Sequence, residues 1–209
     1  MKIHNIFPIS VIEFKIPLNT KKIQEDLEKY KNIMKRPPLF NGDGDGTSTY
    51  NPSFSVLKND EFSLLTKEFE ICLKEYTELI GLTEVQISNS WFSIMNKNVG
   101  IGEHRHPGSV VTGAYYPKYP VNSVELTLSN PLQPYKMCEL YDKITGFNSD
   151  IGFIPIQEGY LYLFPSWLEH GTNLNTIDER YVISFNTIHK GYYLAMLSNE
   201  YSNKTGGRE

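Results

Sequence analysis

The alternation of apolar and polar residues divides the chain into a helical first part and a strand-rich second part. Residues 5–17 fit a strand at the edge of the core, and the two prolines in it limit regular pairing. Apolar residues then recur at helical spacing in a helix that is capped by Asn19 or Thr20 and stops before Pro37. A second helix is predicted over about 60–80. Each helix carries an apolar stripe, which predicts that both pack on a core.

From Val85 onward the pattern changes to short apolar runs that are separated by Gly, Pro, Asn and Asp turns. The predicted strands are residues 85–96, 109–117, 123–129, 159–164 and 179–189. Because no helical pattern lies between them, a parallel sheet with crossover helices is disfavoured, and a mainly β (α+β) sandwich or barrel is predicted. The long segment 130–158 has two interpretations, a substrate lid or two further strands.

The boundaries of these patterns predict one structural domain with three parts. Residues 1–88 supply a strand and helices that support the barrel, residues 89–190 form the β core, and residues 191–209 are a disordered tail. The alternating Asp and Gly of residues 41–46 predict a turn or flexible loop, because the glutamate that completes a calcium loop is missing.

Composition narrows the functional classes without selecting one. The chain is 40% hydrophobic and 13% aromatic, which is typical of a β-rich globular protein. A net charge of −4 gives no indication of a nucleic-acid or anionic membrane partner. Cys72 and Cys138 lie outside any CxxC motif and are expected to be reduced, buried thiols. No signal peptide or membrane span is apparent, so we predict a cytosolic protein. The sequence leaves the oligomeric state open, including a homodimer.

Three of the five histidines have the spacing of metal ligands. His104 and His106 are two residues apart, so in an extended segment they point to the same face and converge on one ion. His170 follows in a second segment that is flanked by proline and glycine. Imidazole suits iron, zinc and copper alike. From spacing alone, His170 is either a third ligand or a structural residue.

The last predicted strand carries a candidate anion-binding pair. Alternation places Arg180 and Ser184 on one side of it and apolar residues on the other. A guanidinium binds a carboxylate through two hydrogen bonds and stays charged, although an exposed Arg180 paired with Asp178 or Glu179 would fit the same pattern.

Aromatic residues near these segments have simpler interpretations. We expect Trp91, Phe92 and Met95 to lie in the core, and Trp167 to close the barrel end beside His170.

Four segments taken together resemble the iron(II)/2-oxoglutarate-dependent oxygenases, in particular a branch found in marine bacteria and phages. These segments are residues 104–109 (HRHPGS), 112–116 (TGAYY), 163–170 (LFPSWLEH) and 179–186 (ERYVISFN). The resemblance covers residues 89–190 well and the N-terminal third loosely, where Ile6-Phe7-Pro8-Ile9 also fits.

The resemblance implies a double-stranded β-helix, a squashed jelly-roll barrel with the two N-terminal helices packed outside and Fe(II) in its mouth. It implies that His170 is the distal metal ligand and that Arg180 holds the far carboxylate of 2-oxoglutarate. Ser184, or a tyrosine from Tyr115-Tyr116, would assist Arg180. The alternation of the strand lets only one tyrosine reach the site and favours Tyr116 if no bulge intervenes. With O2 as co-substrate, the implied reaction is a hydroxylation that releases succinate and CO2.

This chain departs from the family pattern of two histidines and one carboxylate. If His104 is the first ligand, the position of the acid holds His106 and the site has three histidines. If His106 is first, that position is Gly108, and a coordination position is open, as in oxygenase-like halogenases. Glu103 is the nearest carboxylate, but strand alternation turns it away from His104. We favour His104, His106 and His170.

The leading hypothesis is therefore a 2-oxoglutarate-dependent iron dioxygenase. The alternatives are a non-catalytic jelly-roll module that binds a metal or another ligand, and a cupin-type metalloenzyme that does not use 2-oxoglutarate. The sequence leaves the substrate open among a protein side chain, a free amino acid, a nucleobase and a small metabolite.

Overall fold

Two antiparallel sheets form the body of the fold in the computed structural model, which describes Lys2 and residues 8–136 and 139–191. The larger sheet contains, in spatial order, β1 (Ile12–Lys15), β9 (Tyr160–Pro165), β6 (Val111–Lys118), β11 (Arg180–His189), β4 (Val85–Met95) and β3 (Gly46–Ser48). The smaller sheet contains β2 (Phe40–Asn41), β5 (Gly100–His104), β10 (His170–Thr172), β7 (Leu126–Ser129) and β8 (Ile151–Ile154). This is the jelly-roll arrangement expected from the sequence, with the two sheets separate over the described residues. Cys138, the segment 192–209 and most of residues 1–7 lie outside the description.

The two predicted helices are present, with shorter regular parts. Helix α1 (Thr20–Leu27) is capped by the Asn19 side chain, which accepts hydrogen bonds from the next turn, and it continues as a 3₁₀ helix over Glu28–Ile33. Helix α2 (Ser63–Ile80) ends at Gly81, whose φ of 73° is the left-handed conformation that favours glycine at this position.

The larger sheet separates two layers of core. On one face, the apolar stripes of the helices pack against side chains such as Tyr181, Ile183 and Phe185 of β11. On the other face, side chains such as Tyr116 and Val182 pack towards the smaller sheet. Strand alternation therefore points one side of β11 at the helices and the other side into the space between the sheets.

The prediction was accurate for the long strands and included the short strands β1 and β7, but it missed other short ones. Strands β4, β6, β9 and β11 agree with the predicted ranges to within two residues at either end. Strands β5 and β10 were not predicted, because they are short, contain glycine and lack a clear alternation. Of the two further strands allowed for residues 130–158, the structure shows β8.

The Asp-Gly loop is a turn, and its backbone oxygens are used within the chain. The Arg36 guanidinium donates hydrogen bonds to the carbonyl oxygens of Gly42 (2.8 Å) and Gly44 (2.6 Å). Gly42 has a φ of 80°. This interaction fixes the loop next to residues 37–40, which line the cavity described below.

Across the described ranges, no helix is both long and apolar enough to cross a membrane.

Gly113→Ala tests the packing between strand β6 and the helical layer. A Cβ at Gly113 would lie 2.2 Å from the Phe185 ring, which is fully buried and stacked on Phe69 with 5.3 Å between ring centroids. We expect the free energy of unfolding to fall by about 1–3 kcal/mol, the usual cost of overpacking a core. Urea denaturation measures it, with Gly146→Ala as the control, because a Cβ there meets nothing within 4 Å. Equal stability of the two variants would contradict the packing.

Candidate metal centre

Two strands of the smaller sheet bring distant histidines side by side. His104 ends β5 and is the register partner of His170, the first residue of β10. His106 lies in the turn after β5, where its backbone N–H donates to the Ser166 carbonyl oxygen over 3.0 Å. The ligand atoms of the three histidines all lie within 4.8 Å of one another, and the Nε2 atoms of His106 and His170 are 3.1 Å apart. The three side chains therefore converge on one point.

Backbone carbonyls orient two of these rings. Nδ1 of His104 is 2.9 Å from the Gly102 carbonyl oxygen, and Nδ1 of His170 is 2.8 Å from the Leu168 carbonyl oxygen. A carbonyl accepts only from a protonated Nδ1, so each contact selects the tautomer with a lone pair on Nε2. Such contacts are typical of metal-binding histidines, because they fix the ring and raise its basicity as a ligand.

This donor set fits a divalent transition metal. Metal–nitrogen distances of about 2.0–2.1 Å place neighbouring ligand atoms roughly 3 Å apart, which the 3.1 Å between His106 and His170 matches. Neither Gly108 nor Glu103 supplies a carboxylate to this point. Gly108 lies in the turn at a φ of 81°, and a Cβ there meets no atom within 4 Å. Glu103 points to the other side of β5, where it accepts a hydrogen bond from Ser129 over 2.8 Å.

Burial keeps the three imidazoles neutral. Burial, together with the neighbouring His104, lowers the pKa of His170 to about 3 and that of His106 to about 4. Burial also lowers the pKa of His104. Since only a neutral imidazole binds a metal, protons compete weakly at this site near neutral pH.

These shifts predict how stability of the metal-free protein depends on pH. The folded state binds fewer protons than the unfolded state below pH 6.5, so stability is present at higher pH and is lost as the pH falls. We expect the free energy of unfolding to drop between pH 7 and pH 5.5, by up to about 1.4 kcal/mol per pH unit for each such histidine. Denaturation in the presence of a chelator measures the slope, which should be shallower in His106→Gln. Identical slopes in both proteins would show that the pKa of His106 is not lowered in the folded state.

Arg180 is a buried cation without a carboxylate partner among the described residues. Only 1% of the residue is exposed. Its guanidinium contacts Met95 Sδ at 3.2 Å and the Tyr116 hydroxyl at 3.5 Å, and it lies over the Tyr116 ring at 5.3 Å. Its Nε makes no hydrogen bond. A buried charge without a counter-ion is costly, so the described residues leave the charge of this guanidinium uncompensated.

The side chains beside Arg180 follow the alternation of their strands. Ser184 and Asn186 of β11, like Tyr116 of β6, line the same cavity as Arg180. Tyr115 does not: its ring packs on Phe69 at 5.3 Å, in the core beneath the helices. The expected contribution of Tyr115 to the site is thus corrected, because Thr112, Ala114 and Tyr116 alternate towards the cavity and the register shift of β6 against β11 comes only after Tyr115.

A cavity of about 620 Å³ lies between the two sheets and contains the three histidines and Arg180. Trp91 lines this cavity, contrary to the expectation that it belongs to the core, whereas Phe92 and Met95 are fully buried as expected. The register of β4 against β11 explains the position of Trp91. Trp91 is the partner of Ser184, so both side chains lie on the cavity side of the sheet. Trp167 is 54% exposed and does not close the barrel end.

Comparison with known proteins finds one matching family model, over part of the chain, and one fold. Residues 89–186 match the family model described as "Putative 2OG-Fe(II) oxygenase". No curated protein matches the chain. A prolyl-4-hydroxylase from Pseudomonas putida shares 10% identity over 88% of this chain and 94% of that chain, with a TM-score of 0.58.

Two further solved structures have the same fold. HygX from Streptomyces hygroscopicus, solved with nickel, 2-oxoglutarate and hygromycin B, shares 10% identity over 87% of this chain and 84% of that chain, with a TM-score of 0.58. SnoN, a non-heme alpha-ketoglutarate-dependent epimerase from nogalamycin biosynthesis, shares 13% identity over 86% and 78%, with a TM-score of 0.59. At these identities the structures establish the fold alone.

Proposed function

We propose, from the match of residues 89–186 to the family model of a 2OG-Fe(II) oxygenase, that this chain is a 2-oxoglutarate-dependent non-haem iron oxygenase. We propose that it hydroxylates its substrate with release of succinate and CO2. We propose that Fe(II) is held by His104, His106 and His170. We also propose that 2-oxoglutarate is held by Arg180, with Ser184 and Tyr116 beside it.

The observation that carries this proposal is the buried, unpaired guanidinium of Arg180 in the same cavity as three convergent histidines. A structural metal site needs no such cation. A dicarboxylate that reaches both the metal and Arg180 supplies the missing negative charge. The charge-assisted hydrogen bonds that it would form are the strong type that fixes both position and orientation.

The residues of the chain bind and orient the reactants. Fe(II), when bound, supplies the redox chemistry that couples decarboxylation of 2-oxoglutarate to oxidation of the substrate. His104 and His170 are fixed by backbone carbonyls, so the coordination geometry is set before the metal arrives. Tyr116 faces Arg180 with its ring and its hydroxyl, and so restricts the guanidinium to one orientation.

Anaerobic titration tests the proposal directly. Adding Fe(II) and then 2-oxoglutarate should produce a visible metal-to-ligand charge-transfer band, because the keto acid chelates the iron. Admission of O2 should then release succinate. Absence of the band at saturating 2-oxoglutarate, in a protein that has bound iron, would exclude the proposal and favour a metal-binding module. A cupin-type enzyme independent of 2-oxoglutarate would likewise give no band, but would consume O2 with its own substrate.

The cytosolic location and the homodimer stay predictions from the sequence. The outcome of the reaction is also part of the proposal, since solved structures with the same fold include both a hydroxylase and an epimerase.

A further inference from the structure

An aromatic wall leads from the metal centre to the mouth of the cavity. The Trp91 ring stacks on the His106 ring, with 5.8 Å between centroids and 20° between planes. Tyr50 meets Trp91 edge to face, at 5.2 Å and 87°. Tyr50 is 59% exposed, whereas Trp91 is partly buried, so the wall begins at the proposed metal and ends in solvent. Its length and exposure suit a ligand that approaches the metal from outside.

A run of apolar residues contributes another wall of the cavity. Residues 37–40 (PPLF) line the same cavity, and the loop that follows them is fixed by hydrogen bonds to Arg36. Proline rings and aromatic side chains lose little conformational freedom when a ligand packs against them, so such a surface favours rigid, apolar groups.

The charges of the cavity disfavour a cationic ligand. Of the described residues that line it, none is an aspartate or a glutamate. The carboxylates of a bound 2-oxoglutarate would already be paired with Arg180 and the metal, so an ammonium group inside would find no carboxylate of the lining to pair with. Arg105, the other cation in the lining, pairs with Glu169 at 3.2 Å and is largely exposed, so it adds little attraction for an anion.

We propose that the outer part of this cavity is the substrate subsite and that it takes an uncharged ring, aromatic or aliphatic, packed against Trp91 and Tyr50. Trp91 is the specificity-determining residue, because it alone contacts both the ring of a proposed metal ligand and the exposed Tyr50. The substrate class is therefore a neutral, ring-bearing group and not a lysine-like or aminosugar-like cation. This inference rests on the proposed function, because it identifies the ligand of the same site.

Binding to an inert complex tests the subsite without turnover. Trp167→Phe leaves Trp91 as the single tryptophan of the chain, so fluorescence then reports on the cavity. The protein is loaded with Zn(II), which has no redox chemistry, and with saturating 2-oxoglutarate. Phenylacetamide, phenethylamine and phenylacetate carry one ring with a neutral, cationic or anionic group. Cyclohexylacetamide tests an aliphatic ring, and acetyl-phenylalanine-amide presents the ring on a peptide backbone.

We expect the neutral ring probes to change Trp91 fluorescence saturably and to bind at least about tenfold more tightly than phenethylamine. Titration calorimetry needs no tryptophan signal and so measures the Trp91 variants. The affinity for phenylacetamide should fall about tenfold or more in Trp91→Ala and should be mostly kept in Trp91→Phe. Tighter binding of acetyl-phenylalanine-amide than of phenylacetamide would indicate that the substrate is a protein side chain. Weaker binding would indicate a free small molecule.

Two results would overturn the inference and leave the proposed function intact. One is equal or tighter binding of phenethylamine. The other is no binding of any neutral ring probe up to its solubility limit, in a protein that still binds 2-oxoglutarate. If the Zn(II)-loaded parent protein did not bind 2-oxoglutarate at all, that result would instead count against the proposed function. The two failures are distinguishable because Trp91 has no part in holding the co-substrate.

Discussion

Arg180→Met should weaken 2-oxoglutarate binding by about 30-fold to several thousand-fold, while the protein keeps its metal. The range follows from the roughly 2–5 kcal/mol that is lost when one partner of a buried charge pair is truncated. Methionine replaces the stem of the arginine and leaves the far carboxylate of the co-substrate in an apolar cavity. Anaerobic titration of the charge-transfer band measures the affinity, and metal analysis measures iron content.

The stability of the ligand-free protein should change in the opposite direction to its affinity. In the absence of an anion, Arg180 is a buried charge without a carboxylate partner in the described part of the chain. Replacing such a charge with an apolar side chain of similar volume is often neutral or stabilising. We therefore expect the free energy of unfolding of Arg180→Met to equal or exceed that of the wild type.

Arg105→Met is the matched control, because Arg105 lines the same cavity but is exposed and paired with Glu169. It should keep its affinity for 2-oxoglutarate within about threefold, as expected for an exposed ion pair. Unchanged affinity in Arg180→Met would remove Arg180 from the co-substrate site. A large loss of stability in that variant would show that the guanidinium serves the fold.

The sequence predicted the strands β4, β6, β9 and β11 of the larger sheet because these are long and carry a strict alternation. Along β11, Arg180 and Ser184 face the cavity while Tyr181 and Phe185 face the helices, as the period of two requires. The same rule placed Tyr116 in the cavity, and the structure puts Tyr115 on the helical side. The predicted positions were less accurate for residues that were interpreted individually, without knowledge of the residue opposite them on the neighbouring strand.

Trp91 shows why individual interpretation fails. A tryptophan in an apolar strand is more often part of the core, and the two residues expected with it, Phe92 and Met95, are indeed buried. Its face is set by its pairing with Ser184 on β11, a contact between residues far apart in the chain. Single-sequence patterns do not contain that pairing. The strands β5 and β10 were missed for a similar reason, since each is held by neighbouring strands and by the histidines at their ends.

His170→Ala should abolish stoichiometric iron binding. The affinity for iron should fall by more than the roughly 10–100-fold that is seen when only a hydrogen-bond partner of a metal ligand is removed. His170 is 6% exposed, its ring is fixed by the Leu168 carbonyl, and its Nε2 lies nearest to His106. Removing it leaves two imidazoles and a gap that no described carboxylate fills. Metal analysis after anaerobic loading and desalting measures the effect, with His189→Ala as the control, because His189 is exposed and bonded to Thr83.

The three histidines should not be equivalent, and the order of their effects separates the possible ligand sets. His104 and His170 pair across β5 and β10 and are both oriented by the backbone, so His104→Ala should match His170→Ala. His106 lies in a turn, and no backbone carbonyl of the described residues contacts its ring nitrogens. His106→Ala should therefore weaken iron binding without abolishing it. Iron retained at full stoichiometry by His170→Ala would refute the three-histidine centre. Chloride-dependent products from the wild type would instead revive a set in which the position of Gly108 is open, because a halide then occupies the place of the missing carboxylate.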